Sequence, residues 1–137
     1  MTVVTAAPQH RGEVARAFAD PARVVVVSLC AAWCDTCGEF RAAYERIAQA
    51  RPQITFVWLD IEDDAQIVGD IDVENFPTLA VYRGDTLLHF GVSLPQERAV
   101  ARLVDALERG GRSFAAPPAV RELPRAFESA DDSPRDE

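Results

Sequence analysis

The stretch Val24-Val25-Val26-Val27-Ser28-Leu29-Cys30-Ala31-Ala32-Trp33-Cys34-Asp35-Thr36-Cys37 decides how this chain folds. Val24 to Cys30 is a continuous apolar run rich in β-branched residues, the pattern of a central strand buried on both faces. Beyond Cys37, the residues Phe40, Tyr44, Ile47 and Ala48 recur at i, i+4, i+7 and i+8. That spacing predicts a helix over Gly38 to Ala50 with one buried stripe. Cys34 and Cys37 therefore stand where strand hands over to helix. A helix N-terminus carries unpaired N–H groups and partial positive charge, and a cysteine placed there has its thiolate, the reactive form, favoured. Cys37, one helical turn on, is placed to close a small disulfide with Cys34. The stretch reads as a dithiol cycling between reduced and oxidised forms, with Cys34 attacking and Cys37 resolving. An isolated C-x-x-C is equally half of many zinc sites. The strand before it, the helix after it and Trp33 beside it make this one specific.

Working outward, Ile54 to Asp60 reads as a second buried strand, and Asp63 to Asp70 as a short helix with Ile67 and Val68 inward. Pro77 to Arg83 and Thr86 to Val92 are strands separated by Gly84-Asp85, a hairpin spacing that makes them antiparallel neighbours. Pro95 opens a last helix whose core face is Val100, Leu103, Val104 and Leu107, and Gly110-Gly111 stops it. On the N-terminal side, His10 to Asp20 places Val14, Ala17 and Phe18 on one helical face, and Asp20-Pro21 ends it. Thr2 to Thr5 is a short edge strand. Alternating strands and helices followed by a hairpin predict an α/β protein, a mixed sheet with helices on both faces and right-handed crossovers.

A chain of 137 residues fits one domain, expected over residues 1–111. Residues 112–137, with Ala115-Ala116-Pro117-Pro118, Pro124, Pro134 and a mostly acidic end, are expected to form a disordered, dispensable Pro-rich tail. Within it, Glu122 to Phe127 could fold transiently or bind something, with Leu123 and Phe127 as its contacts. The formal net charge of −8 argues against nucleic acid and anionic membrane as partners. Met1 to Pro8 has no signal-peptide character and Val24 to Cys30 is too short to span a bilayer, so a cytoplasmic location is expected; a monomer is expected as well. Three cysteines are an odd count, which argues against a structural disulfide framework and leaves a catalytic or metal-binding role.

The metal readings are weak. Cys30, Cys34 and Cys37 spell C-x-x-x-C-x-x-C, a spacing that can hold an iron–sulfur cluster in radical-SAM enzymes, but Cys30 lies in a buried strand and the chain is too short for their barrel. A zinc site would need His10 or His89, and neither has a paired spacing. No metal and no cofactor are expected. Cys30 reads as a buried core thiol, with a regulatory redox role as the sharper alternative.

With that element order and that motif, the chain resembles the thioredoxin family over about Thr2 to Gly110. The resemblance is carried by Ala31-x-Trp33-Cys34-x-x-Cys37, by Asn75-Phe76-Pro77-Thr78 and by Gly91. It implies a thioredoxin fold, a mixed central sheet of about four to five strands flanked by about four helices. It also implies that Cys34 and Cys37 are the catalytic pair and that the only redox group is their disulfide. Phe76-Pro77 would be cis and pack against the dithiol. Trp33, Asp35, Thr36, Phe76, Pro77 and Gly91 would line the substrate groove. The implied activity is reduction of protein disulfides in cell redox homeostasis, with electrons from a thioredoxin-reductase-like or other dithiol donor.

The departures from the family pattern are informative. Asp35-Thr36 stands where Gly-Pro is usual, and Gly38 where many members have Lys. Ser28 replaces the buried acid that relays protons to the resolving cysteine, and Trp58 its Lys companion, leaving Ser28 as the candidate proton path. Asp35 sets a negative charge beside Cys34, which disfavours a thiolate, so a reductant or moderate exchanger is expected rather than an oxidase. The competing reading is a thioredoxin-like binding or scaffold module with incidental redox activity. The absence of the acid–Lys pair at Ser28 and Trp58, together with the Pro-rich tail, favours that alternative.

Overall fold

The computed structural model of the protein describes residues 3–111 and 115–131, with side chains described as far as Phe127. At its centre is β2 (Val24–Cys30), all of whose residues are buried, as an unbroken apolar run requires. The sheet order is β1-β3-β2-β4-β5, with β1 (Val3–Val4) and β3 (Thr55–Asp60) on one side of β2 and β4 (Thr78–Arg83) and β5 (Thr86–Val92) on the other. β1, β3 and β2 run parallel, whereas β4 and β5 are antiparallel to their neighbours. The β4–β5 turn needs its glycine: Gly84 has φ +59°, and a Cβ there would sit 2.9 Å from Pro21 Cα.

Alternation along β2 builds two cores. Val25, Val27 and Leu29 face α1 (Pro8–Ala19) and α3 (Ala65–Val68), where Val14, Phe18, Ile67 and Val68 are buried. Val24 and Val26 face the other way, toward α2 (Asp35–Gln49) and α4 (Glu97–Arg109), whose Phe40, Tyr44, Ile47, Val100 and Val104 close the second core. The Tyr44 hydroxyl donates to the carbonyls of Val26 and Val57 at 3.1 and 2.9 Å, tying α2 to two strands at once. Burial pushes its pKa well up, so it remains a donor.

The C-terminal segment differs from the sequence expectation. Of residues 112–137, which composition marks as a disordered tail, those within 118–131 form α5 (Pro118–Arg121) and α6 (Leu123–Asp131), while 112–114 and 132–137 lie outside the described residues. Val120, Leu123 and Phe127 recur at i, i+3 and i+7 and are buried in the core beneath α1 and α3. Phe127 packs on Phe18 with ring centroids 5.8 Å apart, and the Tyr82 hydroxyl donates to Val120 O at 2.8 Å. The reason is tertiary: Phe18 on α1 and Tyr82 on β4, edge to face at 5.2 Å, form an apolar flank that a short apolar stripe suffices to cover. The packed structure therefore continues beyond residue 111, and six helices are present among the described residues.

Candidate active site

The loop from Ala31 to Cys34 is held from below. Asp60, the last residue of β3, accepts from Ala32 N at 2.6 Å through Oδ2, and from Glu62 N and Asp63 N at 2.8 and 2.9 Å through Oδ1. Ile61 N donates to Cys30 O at 2.9 Å. The β2–α2 and β3–α3 connections are thus one clamped unit. Sequence pattern gives neither acid this role: Asp60 reads only as the end of a strand, and Glu62 as one of the acids that follow it.

Cys34 is the N-cap of α2: its N–H donates to Ala31 O at 3.0 Å, and its carbonyl accepts from Gly38 N at 3.2 Å. The helix starts three residues earlier than the apolar stripe predicts, because the C-x-x-C itself forms the first turn. Asp35 and Thr36 point to solvent on that turn. Trp33 is 63% exposed; its Nε1 donates to Glu62 Oε2 at 3.3 Å, and its ring meets Phe76 edge to face at 5.4 Å. The Phe76–Pro77 peptide is cis. It is bracketed by Thr78 Oγ1 donating to Asn75 O at 2.6 Å and by Ser93 N donating to Pro77 O at 2.9 Å. Gly91 lies on β5 opposite Leu79, one residue before the Val92–Thr78 pair that adjoins Pro77. The structure so brings Trp33 and Phe76 into one shelf, with Cys34 adjoining Trp33 in the chain, and sets Gly91 on the neighbouring strand.

The cysteine pairing corrects the expected one. The disulfide joins Cys30 to Cys37, with Cα atoms 5.9 Å apart, and Cys34 is free. Cys30 and Cys37 are each 1% exposed, whereas Cys34 is partly exposed. The cause is strand parity: Cys30 shares the α2 face of β2 with Val24 and Val26, and Cys37 opens the inward stripe of α2 that continues through Phe40 and Tyr44. The signal was present in the sequence, since Ser28 and Cys30 have the same parity. Ser28, wholly buried, has its Oγ 3.8 Å from Cys30 Sγ, so the expected proton path meets Cys30. Trp58 stands opposite Ser28 in the strand register and packs on Tyr44 at 5.6 Å, with the Arg41 guanidinium 4.9 Å over its ring. Aromatic packing fills the place of the absent ion pair.

The remaining candidates lie elsewhere. His10 Nδ1 accepts from Thr5 N at 3.2 Å at the start of α1. His89 is on β5, where burial lowers its pKa. Among the described residues no group of three or more His, Cys, Asp and Glu is placed to hold a metal ion. No helix among them is long and apolar enough to cross a membrane.

A clamped strand-to-helix junction that carries cysteines, set beside a cis proline on a mixed sheet, defines a thiol-bearing α/β domain. A sequence model described as Thioredoxin matches residues 3–106, and the chain belongs to the thioredoxin family. It is 24% identical over 67 residues to a thioredoxin of Ophiophagus hannah, covering 49% of this chain and 64% of that protein. It is 30% identical over 59 residues to thioredoxin H-type 2 of Nicotiana tabacum, covering 43% of this chain and 50% of that protein. The match thus spans between half and two thirds of these relatives. The fold is also that of a chain in the crystal structure of a ferredoxin:thioredoxin reductase and thioredoxin f2 complex. There the TM-score is 0.63 at 14% identity, covering 77% of this chain and 94% of that one.

Proposed function

We propose that the protein is a thiol–disulfide oxidoreductase that reduces disulfides in other proteins, with Cys34 as nucleophile. The observation that carries this reading is the asymmetry of the cysteines: Cys34 is free and partly exposed at the start of α2, while Cys30 and Cys37 are buried. A disulfide entering from solvent meets Cys34 first. Cys34 attacks one of its sulfurs, releasing one thiol and leaving the other joined to Cys34. Once the Cys30–Cys37 bond has been reduced with electrons from the donor, Cys37, one turn further into the helix, attacks Cys34 Sγ as a thiolate, and the second substrate thiol departs. The exposed Trp33, together with Phe76, offers an apolar shelf for an extended segment of the substrate, flanked by Asp35, Thr36, Pro77 and Gly91.

Family membership supports the exchange chemistry, and the fold shared with a chain from a reductase complex supports a dithiol donor of the thioredoxin-reductase kind. The proposed setting is the cytoplasm, as a monomer. Insulin reduction with dithiothreitol as donor tests the reading. The full chain should accelerate precipitation of the insulin B chain, and Cys34→Ser should return the rate to background. A wild-type chain no faster than background would leave the binding-module alternative in its place. Cys37→Ser should hold substrates as mixed disulfides, which identifies them.

A further inference from the structure

The exchange cycle uses Cys34 and Cys37, yet the sulfur of Cys37 is bonded to Cys30. Cys37 therefore has a cysteine on either side of it: Cys34 on the same helical turn and Cys30 at the end of β2. The two differ in surroundings. Cys34 is partly exposed, whereas Cys30 is 1% exposed, with the hydroxyl of Ser28, itself wholly buried, 3.8 Å from its sulfur.

We propose that Cys30 is a second resolving thiol, which moves the disulfide inward after substrate has been reduced. The inference rests on the roles of Cys34 and Cys37 given above. Substrate reduction leaves a Cys34–Cys37 disulfide and a Cys30 thiol. Cys30, as thiolate, attacks Cys37 Sγ; the Cys30–Cys37 bond forms, the Cys34–Cys37 bond breaks, and Cys34 leaves as a thiolate. The proton lost by Cys30 is matched by the one Cys34 takes up. One disulfide and one thiol are present before and after, so no oxidant or reductant is consumed. Ser28 Oγ, the polar atom beside Cys30 Sγ, is placed to donate a hydrogen bond to that sulfur while it carries charge.

The direction of transfer follows from solvation. An ionisable thiol is costly to charge in the core and is readily hydrated at the surface, whereas a disulfide has no charge to desolvate. Placing the disulfide at Cys30–Cys37 and the thiol at Cys34 satisfies both. The oxidised protein then still presents a nucleophile, and its disulfide is shielded from outside thiols. Reduction must run back through Cys34, which attacks Cys37 and restores the bond that a donor can reach.

The test follows the bond through one turnover. Reduced full-length protein is mixed with insulin and quenched with acid at increasing times. Free thiols are then labelled with a maleimide in denaturant. Cleavage after Trp33 and before Asp35 puts the three cysteines on separate fragments. A Cys34–Cys37 link should come first and give way to Cys30–Cys37 as Cys34 becomes labelled. Cys30→Ser should stop at Cys34–Cys37, with final Cys34 labelling roughly tenfold below wild type. Wild-type protein that ends with Cys34–Cys37 linked and Cys30 labelled overturns the proposal. So does a Cys30–Cys37 link that forms as fast in Cys34→Ser, since the bond would then owe nothing to Cys34. Insulin reduction is read in the same mixtures. If it is absent, the exchange reading falls and takes this inference with it; if it persists while the bond stays at Cys34, only the transfer is wrong.

Discussion

The two faces of the sheet are covered in different ways. On one face α2 and α4 lie side by side, and charges join them at their solvent edge. Arg51 donates to both carboxylate oxygens of Asp105 at 2.7 and 3.0 Å, and Arg46 Nε meets Glu97 Oε1 at 2.9 Å. On the other face α6 is held against α1 by rings and aliphatic groups: Phe127 on Phe18, with Val120 and Leu123 beneath. The first face carries the cysteines and the second carries none. Apolar burial outweighs exposed ion pairs by several-fold per side chain. The apolar contact of α6 should therefore cost more in stability when lost than the ion pairs that join α2 to α4.

The largest test of that contrast is a chain ending at Gly111. It loses the buried Val120, Leu123 and Phe127, each contributing about 1.5–3 kcal/mol. Urea unfolding should show a drop on the order of 5 kcal/mol, discounted for residual burial in the unfolded chain. An unchanged midpoint would remove α5 and α6 from the domain and restore the dispensable tail that composition predicts. Phe127→Ala should reproduce much of this alone, about 3–4 kcal/mol, because the ring leaves a cavity against Phe18. Tyr82→Phe should cost about 1–2 kcal/mol, since it strips Val120 O of its hydrogen bond and leaves the packing in place.

The smallest effect belongs to the charged face. Asp105→Asn should cost less than about 1 kcal/mol at neutral pH, because the carboxylate is partly exposed to solvent. Its hydrogen bond with Arg51 holds the Asp105 carboxyl below the usual carboxylate range. A depressed folded-state pKa means that the stabilisation is present above the ordinary carboxylate pKa and lost as pH falls toward the lowered one. The difference between wild type and Asp105→Asn should close on acidification and shrink with added salt. A Phe127→Ala defect that shrank with salt in the same way would break the contrast between the faces.

Local pattern made much of this legible. Val24–Cys30 and Thr86–Val92 are strands with the bounds that their apolar runs and the Gly84-Asp85 turn demand, because burial and turn geometry are written in neighbouring residues. Cys34 and Cys37 at a strand-to-helix junction, with Trp33 beside them, follow from the same local signals, as does Val100 and Val104 as the core of the last helix.

Two matters were settled only in three dimensions, and in each the deciding partner is distant in sequence or in another element. Residues 115–131 look too polar and too rich in proline to fold, and alone they have little to bury. The rings of Phe18 and Tyr82, about forty to a hundred residues away, supply the missing apolar surface, and a three-residue stripe then suffices. Sequence proximity likewise pairs Cys37 with Cys34, yet strand parity on β2 and the inward stripe of α2 bring Cys30 to the same sulfur. A chain states which side chains are apolar, charged or thiol-bearing; which of them share a face is fixed by how strand and helix lie across each other.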